Sequence, residues 1–183
     1  MQRYLLPVKH SSVIMLCSCF LLLLNSFFPI NSFGIVPRET SYLSGILFAP
    51  FLHADWMHLL SNLFPFIILS SLIGLHSLQR FWLVFSLAAI CSGTLVWLFA
   101  RGETIHIGMS GVIYAMWGYL IVYGFKQKQF RDIFIAIGVL VVYGSLVFGV
   151  LPSDPNISFE SHLFGAIVGA LSGYFLSNTN HNK

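Results

Sequence analysis

The chain has 183 residues, of which 57% are hydrophobic, 16% aromatic and only 8% charged. A soluble domain carries about 25% charged residues, so this composition cannot cover a water-facing surface and the class is integral membrane. The formal net charge of +3 is too small to point to nucleic acid, and the length fits one compact domain without an appended soluble module.

A membrane helix needs about 20 apolar residues, because ~1.5 Å per residue must cover ~30 Å. In chain order six stretches qualify: 13–30, 56–75, 81–100, 107–125, 133–151 and 159–176. The expected fold is all-α, with six transmembrane helices in a compact bundle over residues 13–177. Residues 1–12 form a cytoplasmic segment in this reading, and 178–183 a polar, disordered cytoplasmic tail. Arg3 and Lys9 before the first stretch also suit a secretory signal, but no A-x-A-like cleavage site follows, so a retained helix is expected. Between the first two stretches lie residues 31–55. Their apolar second half, 45–52, is too short to span and is expected in the outer interface.

The basic residues set the topology. With a cytoplasmic N-terminus, Arg3, Lys9, Arg80, Lys126, Lys128, Arg131 and Lys183 are inside, and only Arg38 and Arg101 outside. Seven against two is a positive-inside bias. Both termini are then cytoplasmic, and the second, fourth and sixth helices run inward. The three cysteines, Cys17, Cys19 and Cys91, sit in apolar runs at spacings that match neither a zinc site nor a disulfide framework.

Polar groups inside a span are costly and mark function by default. Three groups stand out, each near the outer end of an even-numbered helix. In the second, His58 and Asn62 are four apart and share one face, with His53 just before them. The fourth opens with Gly108-Met109-Ser110-Gly111 and places Tyr114 four residues after Ser110. The sixth opens with Ser161-His162 and continues with Gly165, Gly169 and Gly173. Counting from the inner edge, Ser110 sits at ~22 Å and His162 at ~21 Å, so the two share a depth. The fourth helix is expected to start at Ser110 itself, after a non-helical loop over 104–109. The glycine stripe suits close helix packing, which would bring Ser110 within reach of His162.

The string G-M-S-G-V-I-Y-A at 108–115 resembles the nucleophile motif of the rhomboid family of intramembrane serine proteases. S-H-L-F-G-A-I-V-G at 161–169 resembles that family's general-base helix, and H-A-D-W-M-H-L-L-S-N at 53–62 its H-x4-H-x3-N helix. The resemblance covers residues 45–176. It implies Ser110 as nucleophile and His162 as base. It implies His58, Asn62 and backbone N–H groups near Gly108 at the oxyanion, Tyr114 stacked on His162, and His53 in a structural role. It also implies a transmembrane-helix protein as substrate, unwound near its outer end, with the lipid bilayer as surroundings and no cofactor or metal. The fifth helix and the loop 152–159 are its candidate gate. Ser161 stands where the family usually has Ala, the common Glu after the second helix is absent, with His76 nearby, and the first loop lacks the usual Trp-Arg pair.

With no carboxylate expected beside His162, a dyad must suffice. A metalloprotease is disfavoured by the lack of H-E-x-x-H, and an aspartyl protease by the lack of span aspartates. Val112 stands where a soluble α/β-hydrolase has its last motif Gly. A transporter would need paired broken helices in two halves. The non-enzyme alternative is a catalytically silent rhomboid-like protein that binds transmembrane helices.

Overall fold

A computed structural model describes residues 2–152 and 157–177. The expected tail at 178–183 and residues 153–156 of the loop 152–159 lie outside the described residues. Among the described residues all regular structure is helical, and the sole β-type pairing is an isolated bridge between Ile35 and His106.

The first helix, α1 (Gln2–Asn25), begins earlier and ends earlier than the sequence suggested. It absorbs the expected N-terminal segment. It stops before Pro29, which disfavours helical backbone in the residue ahead of it. Asn25 Oδ1 then accepts the N–H of Asn31 (2.9 Å), leading into a 3-10 turn at Ile30–Phe33. A short helix, α2 (Gly45–Phe48), lies in the long connection. Next comes α3 (Trp56–Gly74), capped by Asp55, whose carboxylate accepts the N–H of His58 (2.8 Å). The following span is continuous from Leu78 to Phe99 but is built of α4 (Leu78–Leu87), a π-helical turn (Ala88–Ser92) and α5 (Gly93–Phe99). The chain finishes with α6 (Ser110–Gln127), α7 (Phe130–Tyr143) with a 3-10 extension (Gly144–Val150), and α8 (Phe159–Ser177).

Four of these segments are long and apolar enough to cross a membrane: Leu5–Asn25, Trp56–Gly74, Leu78–Phe99 and Phe130–Val150. The six-span expectation is therefore met in part. The other two helices, α6 and α8, are of similar length (18 and 19 residues). They carry more polar and small side chains, and α6 forms the interior of the bundle. Twelve residues of α6 are buried, against three of α7.

Backbone meets backbone along the α6–α8 seam. A Cβ at Gly165 would collide with the carbonyl of Gly111, and one at Gly169 with the carbonyl of Ala115. Lacking side chains there, the helices approach closely, and dispersion contacts replace a hydrophobic drive that lipid cannot supply. At the opposite end Arg80 ties three helices, donating to Tyr119 Oη (3.1 Å) and to the carbonyl of Leu176 (3.1 Å). Nearby, Asp132 at the start of α7 pairs with Arg131 (3.1 Å) and approaches His76 (3.5 Å).

Candidate active site

Ser110 is the first residue of α6, and His162 lies one turn into α8. The glycine seam begins beside them. A Cβ on Gly111 would stand 3.3 Å from the carbonyl oxygen of Ser161, the residue before His162. That contact sets Ser110 Oγ 2.9 Å from His162 Nε2.

The other ring nitrogen decides the tautomer. His162 Nδ1 lies 2.9 Å from the carbonyl oxygen of Gly149, at the end of the 3-10 extension of α7. A carbonyl only accepts, so Nδ1 carries the proton. Nε2 is left bare and accepts the Ser110 hydroxyl. Tyr114 covers the ring face to face, with centroids 4.1 Å apart and planes 6° from parallel. His162 is 9% exposed. Gly149 has no room for a side chain, since a Cβ would overlap the Tyr114 hydroxyl.

A carboxylate does lie at this level, contrary to the expectation from the sequence. Glu160 lies in the first turn of α8 and is 6% exposed. It is paired with Arg101 instead of His162: Arg101 Nε stands 3.3 Å from Oε1, and the Arg101 backbone N–H donates to the same oxygen (3.3 Å).

On the facing helix, His58 Nδ1 accepts the N–H of Ala54 (3.4 Å), which leaves Nε2–H as a donor. A Cβ on Gly108 would lie 2.7 Å from that Nε2, so the ring points to the start of α6. Gly108 adopts φ +116°, a conformation that glycine tolerates without strain. Its own N–H, however, donates to the carbonyl of Ala49 (2.8 Å). The expected oxyanion donor at Gly108 is thus occupied, and what this residue supplies is backbone shape. The available donors lie further on: the N–H groups of Ser110, Gly111 and Val112 precede the first ladder bond of α6, from Ile113 to Met109 (3.0 Å). Asn62 is buried, and its amide donates to the carbonyl of His58 (2.8 Å), one turn back. Its second N–H is the one left to serve a ligand.

His53 is fully buried, with Nδ1 3.3 Å from the carbonyl of Phe51 and its ring packed edge-on against His58. Burial, aided by the neighbouring His58, pushes its pKa down to about 4, against the opposing pull of the Phe51 carbonyl and Asp55. It stays neutral and supports the His58 ring from behind the cavity lining.

Ser110, Tyr114 and His162 line one cavity of about 600 Å³ together with His58 and Asn62, with apolar walls from Ile107 and Leu146. A serine hydroxyl on a bare imidazole nitrogen, facing open helix-start N–H groups, can attack a carbonyl and hold the resulting oxyanion.

The Rhomboid domain family matches residues 40–179. The chain belongs to the rhomboid family. It is 38% identical over 152 residues to an uncharacterized protein of Mycobacterium tuberculosis, an alignment covering 79% of this chain and 63% of the relative. It is 40% identical over 152 residues to an uncharacterized protein of Mycobacterium leprae, covering 79% and 60%. A protein of Acanthamoeba polyphaga mimivirus named as a rhomboid protein is 29% identical over 152 residues, covering 78% of each chain. The chain thus spans about 60% of the length of its mycobacterial relatives.

Within this rhomboid site, residues that sequence reasoning had passed over take part. No local pattern marks Gly149 as the partner of His162. His106 did leave a signal, since it is an ionisable residue in the loop that precedes Ser110.

Proposed function

We propose that this rhomboid family member is an intramembrane serine endopeptidase that cleaves transmembrane segments of other membrane proteins near their outer ends. The reading rests on the 2.9 Å contact between Ser110 Oγ and a His162 Nε2 left bare by the Nδ1–Gly149 bond.

Ser110 Oγ bonds to the scissile carbonyl carbon while its proton passes to His162 Nε2. The imidazolium keeps its Nδ1–H on the Gly149 carbonyl and its face against Tyr114. The oxyanion meets the N–H groups at the start of α6, where the helix dipole favours negative charge, with His58 Nε2–H and the free N–H of Asn62 opposite. Collapse breaks the C–N bond, and Nε2–H protonates the departing amine. Water then attacks the acyl-serine, with His162 taking its proton and returning it to Ser110. Losing one oxyanion donor costs about 10²–10³ in rate.

The remaining expectations belong to this reading: six spans, both termini cytoplasmic, a cavity open to the outer side, and residence in a bacterial inner membrane. The bias of seven basic residues against two supports the cytoplasmic placement of both termini in this reading.

The test is reaction of the purified, detergent-solubilised protein with a fluorophosphonate probe. Wild type should label, and Ser110→Ala and His162→Ala should not. A folded wild type that fails to label would overturn the hydrolase and favour a silent, helix-binding rhomboid-like protein.

A further inference from the structure

The start of α8 is tied to the loop before α6 by a relay of hydrogen bonds centred on His106. This residue is 3% exposed, and its backbone is pinned on both sides by the bridge to Ile35 (N–H to O distances 2.8 and 3.0 Å). Its Nδ1 is 2.5 Å from Ser158 Oγ, and its Nε2 is 3.0 Å from Thr104 Oγ1. Ser158 Oγ is 2.6 Å from Ser161 Oγ and also accepts the N–H of Ser161 (3.4 Å), as an N-cap side chain does.

The direction of every bond follows. Thr104 gives its hydroxyl proton to the carbonyl of Arg101 (3.2 Å), so its oxygen accepts from His106 Nε2–H. Nδ1 is then bare and accepts from Ser158. The single proton of Ser158 being used, its oxygen accepts from Ser161. Burial holds the His106 pKa below the usual imidazole range, with Arg101 adding to the fall and Glu160 and the Arg101 carbonyl opposing it. The neutral ring is the form this chain of bonds requires, because an imidazolium would offer Ser158 a donor where it needs an acceptor.

Both ends of the relay sit next to the chemistry. His106 lies two residues before Gly108, and Ser161 packs on Gly111. The carbonyl of Ser158 also accepts the N–H of His162 (3.4 Å).

We propose that His106 is a positioning residue which, through Ser158 and Ser161, holds the loop bearing Gly108 against the first turn of α8 and so sets the Ser110–His162 distance. The role rests on the hydrolase reading above. A second tie, the Arg101–Glu160 pair with Arg101 Nη2 on the carbonyl of Ile157 (2.7 Å), anchors the same turn from the end of α5. Losing the His106 relay therefore displaces the turn without releasing it.

The test follows fluorophosphonate labelling against probe concentration, separating probe affinity from the maximal inactivation rate, on protein whose folding is checked by thermal unfolding. His106→Phe and Ser158→Ala should each lower the maximal rate about tenfold or more while leaving probe affinity unchanged, since small misplacements are costly in rate. The double variant should be no slower than either single one, because both break the same relay. His106→Asn should keep the rate within about threefold of wild type, since its carbonyl oxygen can stand in for Nδ1 as acceptor to Ser158. Equal losses for His106→Asn and His106→Phe, or additive losses in the double variant, would overturn the positioning role alone. A wild type that does not label at all would overturn the hydrolase, and this role with it.

Discussion

Two helices flank α6, and they are held in opposite ways. α8 meets it backbone to backbone through Gly165 and Gly169. α7 buries only Asp132, Ala136 and Val139, all in its first ten residues, and turns Phe134, Val141 and Val142 outward at 70%, 79% and 67% exposure. Ser110 and His162, the proposed nucleophile and base, sit on the tight pair. Yet the carbonyl bonded to His162, Gly149 O, belongs to the loosely packed continuation of α7. Tight packing at the Ser110–His162 pair and loose packing at its third partner thus coexist within one hydrogen bond of each other.

This contrast can be broken most severely at the seam. Gly169→Leu would drive a side chain into the Ala115 carbonyl and part α6 from α8. Fluorophosphonate labelling should fall by about 10²-fold or more, as expected for misplacement on the ångström scale. The thermal midpoint should fall with it, since overpacking costs about 1–3 kcal/mol. A variant with normal labelling would show that the seam does not position the dyad.

A milder change separates orientation from packing. Gly149→Ala introduces a methyl group against the Tyr114 hydroxyl and moves the carbonyl away from His162 Nδ1. Labelling should slow by about 10-fold or more while the thermal midpoint moves little, because loss of an orienting partner acts on general-base catalysis of about 10²–10⁴ in worth. An unchanged rate would remove Gly149 from the mechanism.

The smallest effect is expected on the outward face of α7. Val141→Ala should leave labelling within about twofold and stability within about 0.5 kcal/mol, as for surface substitutions generally. A large loss at this site would mean that a partner or second copy covers the face.

Much of this was legible without coordinates. Composition alone announces a membrane protein. The run of Gly108 to Gly111 marks the start of α6 at Ser110, and the four-residue spacing of Gly165, Gly169 and Gly173 marks the seam. These features are local: a helix start, a periodicity and a face are written in neighbouring residues, so one dimension suffices to read them. Polar groups in apolar stretches are legible for a related reason, since lipid penalises them wherever they occur. What tertiary structure alone decided is who bonds to whom across distant segments. The N–H of Gly108 goes to Ala49, Glu160 turns to Arg101, Gly149 orients His162, and His106 reaches Ser158, 52 residues away. No periodicity encodes such pairings, because each depends on which polar groups packing brings together at that depth, where a buried group left unpaired is costly.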